Sequence, residues 1–275
     1  MQIRIAPSLG GGFAGTPEEV WGITEYKDTN EPCVFFGLYG LPDFYTLWRH
    51  KGKKYILWCG SDIQHFLKGY WLDTKGKMSV SAFDLAPWVD TYCESYVENE
   101  VEQQALRSVG IRSKVVPSFL GNVNDYEVCY NWSDKPKVYT SVSSDDFKLY
   151  GWDKIPQLAN DNRDVEFHLY GNTVSPFFLH EFRPNIIVHG RVPQEQMNEE
   201  IKQMQGCLRL TEFDGFSELV AKALLWGQYP ISIIPYPHTF RPENIEILYS
   251  LTESNIEGRE WLLSKVNKYP WNTLS

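Results

Sequence analysis

Metal-binding cysteine pairs are missing from this 275-residue sequence. Its five cysteines, Cys33, Cys59, Cys93, Cys129 and Cys207, are odd in number and scattered, with no C-x-x-C pair and no Cys/His cluster. That excludes a zinc module and argues against a disulfide framework. Four of them sit in apolar runs, where small buried thiols in a reducing compartment are the expectation. No window approaches ~18 consecutive apolar residues, so no membrane span is expected. The opening MQIRIAPSLGGG lacks the apolar core of a secretory signal, and the expected location is cytoplasmic. Positive charge is in deficit too: 26 Lys and Arg stand against 35 Asp and Glu, a net charge of -9, which excludes a globally electrostatic nucleic-acid binder. Repeats, low-complexity tracts and long charge runs are also absent, which excludes a solenoid or a disordered chain.

What is present is apolar and ordered. Hydrophobic residues make up 43% of the chain and include 10 Trp, enough to fill one large core or two modest ones. Short apolar runs bounded by Gly, Pro or charge read as buried strands: IRIA (3–6), CVFFG (33–37), YILWCG (55–60), TYCES (91–95) and KVVP (114–117). Between them 42–50, 61–69 and 98–110 carry helical spacing. The last has Val101, Ala105, Leu106 and Val109 on one side, acidic residues crowding its first turn, and Gly110 closing it. Strand and helix in alternation predict a parallel sheet covered by helices. Residues 121–137, dense in Asn, Asp and Pro, interrupt the rhythm and read as a linker.

After the interruption the alternation resumes, with strands at 138–142, 165–171, 186–190, 207–210 and 229–234 and a last helix within 255–269. The expected organisation is an N-terminal α/β domain over 1–130, a second over 131–254, and a C-terminal helix in 255–275. Open parallel sheets bind ligands beyond the C-terminal ends of their strands, and two facing domains would enclose a cleft there.

The most informative stretch is CLRLTEFDGFSELVAKALLWGQYPI (207–231). A strand ends at Leu210, a turn holds Asp214 and Gly215, and a helix opens near Ser217, an N-cap type followed by Glu218 at the positive end of the dipole. Backbone N–H groups at such a turn can hold phosphate or sugar oxygens, although many strand-turn-helix units bind nothing. Arg209, near the end of a buried strand, needs an anion, and a phosphate would serve. Glu218 and Lys222 stand four apart, where a surface ion pair is the plain reading.

FDGFSELVAKALLWGQYPI resembles the donor-site signature of family 4 glycosyltransferases. Asp214 stands at the first Glu of that family's Glu-x7-Glu motif, Ala223 and Gly227 fall in register, Pro230 is one residue late, and Lys222 occupies the second Glu position. DVEFHLYGN, PNIIVHGRVPQEQMNEEIKQMQG and VYTSVSSDDFKLYGWDKIPQLA resemble the family's preceding segments in order and spacing, so the similarity covers about 137–235, and more loosely YILWCGSDI and 96–119. The resemblance implies a GT-B fold of two Rossmann-like α/β/α domains facing across a cleft, with the final helix crossing back to the first. It implies transfer of a sugar from a nucleoside-diphosphate donor, with retention of configuration, without metal, and with no cofactor beyond the donor itself. By the same resemblance Asp214 accepts bonds from donor-sugar hydroxyls, and Gly215, Phe216 and Ser217 offer backbone N–H groups to sugar and diphosphate. Glu218 and Lys222 fall near the ribose, Arg209, Lys148 and Ser143 near the phosphates, and Gly171, Arg191 and Val192 beside the base.

In the N-terminal half, Gly10, Gly11 and Gly12 either let backbone approach a ligand closely or form a plain flexible loop, and the resemblance implies that this loop borders donor phosphate and acceptor; Asp62 is either a helix cap or a polar cleft residue with a catalytic part. Residues 49–77 hold seven Lys and Arg against Asp62 and Asp73, with Phe66, Tyr70 and Trp71 among them. Such a stretch suits a peripheral membrane contact, a lipid-linked acceptor, a glycan, a protein or a nucleic-acid strand, or is simply a solvated face. Three departures from the family pattern keep a second reading open: Lys222 can only donate, the first C-domain loop has Tyr150 where a Lys is usual, and YILWCGSDI has no His. That reading is a GT-B nucleotide- or glycan-binding protein without turnover.

Overall fold

A computed structural model describes residues 1–9, 15–71, 79–142, 147–171 and 183–272. Gly10, Gly11, Gly12 and Ser143, with Asp73, Lys75 and Lys77 of the basic stretch, lie outside the described residues. The chain divides into two compact units: Met1–Asn122 with Phe213–Phe216 and Lys265–Ser275, and Val123–Glu212 with Ser217–Ser264.

The first unit is built on β1 (Gln2–Ile5), β2 (Thr24–Glu25), β3 (Cys33–Phe36), β4 (Lys54–Leu57), β7 (Cys93–Val97) and β8 (Ser113–Val115), in the order β2-β1-β3-β4-β7-β8. Every neighbour pair in this sheet is parallel. β5 (Tyr70–Trp71) and β6 (Ser79–Val80) form a separate antiparallel pair. Its helices are α1 (Pro17–Trp21), α2 (Leu41–Arg49), α3 (Ser61–Lys68), α4 (Ala82–Tyr92) and α5 (Glu100–Arg107).

CVFF works as a central strand because both faces of it are covered, as a parallel sheet requires. Cys33 and Phe35 join Ile56, Trp58 and the helix residues Leu47, Phe66, Val89 and Leu106 in one core, while Val34 and Phe36 join Tyr55, Leu57 and Tyr96 in another. The second core is completed from the far end of the sequence. Tyr269 and Trp271 stack at 4.4 Å, and Trp271 meets Tyr96 edge-on at 4.9 Å.

The second unit carries a parallel sheet in the order β11-β10-β9-β12-β13, made of β9 (Lys137–Ser141), β10 (Glu166–Tyr170), β11 (Ile186–Gly190), β12 (Gly206–Arg209) and β13 (Ile231–Ser232). Its helices are α6 (Ile155–Asp161), α7 (Gln194–Ile201), α8 (Glu218–Leu225) and α9 (Ile256–Lys265). Within the stretch 121–137, residues 126–136 are irregular but tied down on this unit. Tyr130 OH donates to Leu251 O at 2.5 Å and Trp132 Nε1 to Tyr249 O at 3.1 Å. α9 itself goes with the second unit, and it is the segment beginning at Lys265 that rejoins the first.

Candidate functional site

The first unit's half of the DGFSE segment is fixed where β7 ends and α5 begins. Asn99 caps α5, its Oδ1 accepting from Glu102 N at 3.0 Å. Its Nδ2 then reaches the other way, donating to Asp214 O at 2.8 Å and Gly215 O at 3.2 Å. Glu98, buried beside it, accepts from Phe216 N at 2.8 Å and from the Ser118 hydroxyl. Phe216 N–H, expected to face sugar and diphosphate, is the group that donates to Glu98. Two glycines permit the approach. A Cβ on Gly215 would strike Glu98 Oε2, and one on Gly60, held at φ +95°, would sit 2.8 Å from Gly215 N.

Asp62 is 0% exposed, and its carboxylate organises the turn from β4 into α3. Oδ1 accepts from Cys59 N at 3.0 Å and Ile63 N at 2.9 Å, and Oδ2 from Leu38 N at 3.1 Å. Of the two readings of this residue, the geometry is that of a turn-stabilising carboxylate rather than of a side chain open to a ligand. Burial pushes it up to about 7 against the pull of those backbone donors.

Glu98 and Glu102, read from sequence among the acidic residues crowding a first helical turn, are buried, and Glu102 Oε2 accepts from Glu98 N at 2.7 Å. Burial raises both carboxyls, Glu102 well above the ordinary range with the Glu98 charge adding to the effect. Cys59, at the same end of the sheet, is likewise raised by burial.

In the second unit, α8 opens at Ser217, whose side chain makes no capping bond, and six of its eight residues are buried. That burial takes Lys222 off the surface, where its pair with Glu218 was expected. Lys222 is 7% exposed with Nζ 3.5 Å from Asn198 Oδ1, and burial lowers its affinity for a proton while Glu218 opposes. Arg209, on β12, lays its guanidinium 4.9 Å from the Tyr150 ring centroid, so Tyr150 meets the cation through its face. Lys148 and Arg191 are exposed, Val192 and Glu218 half-buried, and Lys154 is paired with Glu212 at 2.9 Å. Gly171 N donates to Gly190 O at 2.7 Å, which brings together the two loops assigned to the base. A Cβ on Gly171 would collide with Val142 O.

Sequence reasoning missed Glu98, Asn99, Gly60 and Ser118. Asn99 ahead of Glu100 and Glu102 was the one available signal, since it is an N-cap in form. It also missed a stack in the second unit: His168 Nδ1 lies 2.9 Å from His189 Nε2, Tyr170 stacks on His189 at 4.2 Å, and Tyr170 OH donates to Glu200 at 2.7 Å. Among the described residues no group of three or more His, Cys, Asp or Glu could hold a metal ion, and no helix is long and apolar enough to cross a membrane.

No family model matches the chain, and no curated protein matches it. Solved structures do. The chain is similar to TarM (11% identity, TM-score 0.56, covering 86% of this chain and 53% of TarM) and to the sucrose-phosphate synthase of Thermosynechococcus elongatus (10%, 0.60, covering 90% and 71%). It is also similar to Anabaena HepE, crystallised with UDP and glucose (10%, 0.54, covering 86% and 73%). The chain thus spans about half the length of TarM. Two parallel-sheet α/β units and these likenesses make the fold GT-B.

Proposed function

We propose that this chain is a nucleotide-sugar-dependent glycosyltransferase that transfers a sugar with retention of configuration and without a metal. The observation that carries the reading is the Asp214-Gly215-Phe216 segment, fixed by Asn99 and Glu98 over two obligatory glycines and leading at once into α8. Asp214 is the part of that segment assigned to accept from donor-sugar hydroxyls. Gly215 and Ser217 set the backbone for sugar and diphosphate, and Arg209 and Lys148 supply charge to the phosphates. Gly171, Arg191 and Val192 flank the base.

In the reaction the bond from the anomeric carbon to the diphosphate oxygen breaks, the acceptor oxygen bonds that carbon on the same face, and its proton passes to the leaving phosphate. The protein's contribution is electrostatic stabilisation of that leaving group and orientation of the sugar. HepE's UDP and glucose support uridine donors as the first to test. The exposed Tyr45 and Trp48, with Arg49 over Tyr45 at 5.5 Å, suit an acceptor presented at a membrane surface.

Titration calorimetry with a panel of nucleoside-diphosphate sugars, paired with an assay for released nucleoside diphosphate, tests the reading. We expect binding tighter than millimolar, weakened about tenfold or more by Asp214→Asn, the worth of one charged hydrogen bond. No binding to any donor, together with indifference to that substitution, would overturn it. The second reading, a binding protein without turnover, is favoured by Lys222 turned toward Asn198 and by the engaged Phe216 N–H. It predicts nucleotide binding with no diphosphate release.

A further inference from the structure

Glu98 and Gly60 lie beyond the C-terminal ends of β7 and β4, and the opposite ends of the same strands carry a feature that sugar transfer leaves unused. A groove of about 450 Å³ runs across the N-terminal ends of β4, β7 and β8. Ser95 and Ser113 line it and are register partners on adjacent strands. Ser95 is 5% exposed, and the hydroxyls of both serines are buried with no hydrogen-bond partner. A buried hydroxyl without a partner carries a desolvation cost, so two neighbours lining one groove favour a ligand that accepts from both.

The charge of the groove selects the ligand further. Lys53, Lys54, Arg112 and Lys114 line it against two carboxylates, Asp90 and Glu94. Glu94 is shared between Lys53 at 2.7 Å and Lys114 at 3.8 Å, and Arg112 clasps Asp90 at 2.9 Å. Lys54 has no carboxylate within 4.0 Å among the described residues; its ammonium meets Gly52 O at 3.4 Å and lies 6.0 Å from the Trp88 ring centroid. Lys54 pairs with Cys93, two residues before Ser95, so it stands on the same face of the sheet as both serines. Two hydroxyl donors beside a cation without a counter-ion suit a tetrahedral oxyanion. Tyr92, 60% exposed and lining the same groove, offers a ring face to the group that carries it.

We infer that this groove binds a phosphate monoester on a small carrier such as a sugar, with Ser95 and Ser113 donating to its oxygens and Lys54 balancing its charge. Ser95 lies three residues before Glu98 along β7, about 10 Å, and the site shares no residue with the proposed donor site. Its ligand is a free sugar phosphate or the phosphate headgroup of a lipid, and the two sources are separable.

Calorimetry with inorganic phosphate and with glucose 6-phosphate, and co-sedimentation with vesicles containing phosphatidic acid, whose phosphate is a monoester, are run on the intact chain and on the Ser95→Ala/Ser113→Ala double variant. Thermal unfolding of both proteins checks the fold, which the double variant should retain because it removes hydroxyls that have no partner. We expect glucose 6-phosphate to bind more tightly than phosphate, and the double variant to weaken it about tenfold or more. Lys54→Gln should weaken it too and flatten its salt dependence. Vesicle binding that the double variant abolishes assigns the same site to a lipid phosphate. Absence of binding to all three probes, or binding that neither variant alters, overturns the inference.

Discussion

At the scale of single residues, two buried carboxylates that look alike in sequence should respond differently to amide replacement. Asp62 uses both oxygens to accept from three backbone N–H groups, so Asp62→Asn sets an amide N–H against one of them. The expected cost is about 1–3 kcal/mol in urea unfolding, the penalty of an unsatisfied buried donor. Glu98 accepts from one backbone N–H and from the Ser118 hydroxyl, which can rotate and accept instead. Glu98→Gln should therefore stay within about 0.5 kcal/mol of the parent protein. The difference was not legible in sequence. In VENEVE the acids at 98, 100 and 102 share one reading as helix-dipole partners, and only the tertiary fold buries the first and third while leaving Glu100 exposed. Lys222 fails to be legible for the same reason: its spacing from Glu218 describes an isolated helix, whereas α8 is enclosed on nearly every side.

At the scale of elements, strands were easier to read than helices. CVFF and the YIL of KYIL are apolar on both faces because both sides of their sheet are covered, one by α2 to α5 and the other by Trp21, Tyr269 and Trp271, and that pattern survives in any short window. α4 was not foreseen, because Pro87 in its interior argues locally against a helix. The fold retains it through the Ser81 cap, whose hydroxyl accepts from Phe83 N at 3.0 Å, and through Ala82, Ala86 and Val89, which bury one side. Between β10 and β11 the fold creates a titratable arrangement with no local signature. His168 is held below its ordinary range chiefly by burial, with Glu166 opposing and His189 and Lys137 reinforcing.

The sign follows directly. Below an unfolded value of about 6.5 the unfolded chain takes a proton that folded His168 refuses, so stability from this group falls as pH drops from about 7 toward 5. Glu98, Glu102 and Asp62 act in the opposite direction over an overlapping range, because their raised values favour the folded protein at acid pH. The contribution of His168 therefore appears as a difference. Relative to His168→Gln, the parent protein should lose melting temperature faster across that interval, and parallel profiles would refute the assignment.

At the scale of the molecule, the net charge of -9 conceals a local reversal, since four of the cations that offset it converge on one groove at the N-terminal ends of the first sheet. Composition cannot show that, nor can the order of strands, because Lys53 and Lys54 come together with Arg112 and Lys114 only through the parallel pairing of β4 with β7 and β7 with β8. The first unit is also assembled from three separate stretches, and its second core takes Tyr269 and Trp271 from the last of them. Trp271→Ala should cost about 3–5 kcal/mol, the usual penalty for truncating a buried aromatic, with the loss expressed in the first unit. Hydrogen exchange in β3, β4 and β7 measures it, and unchanged protection there would contradict this account.

That three-part assembly has a consequence for how the protein is made. Synthesis delivers β1 to β8 before the second unit, yet the ring stack against Tyr96 and Trp21 waits for Tyr269 and Trp271, which follow that unit. The second unit, whose stretches end at Ser264, has its full complement of residues earlier. Of the two units, the one translated earlier is thus the one completed later, and until then it offers chaperones an open apolar face of Val34, Phe36, Tyr55 and Leu57.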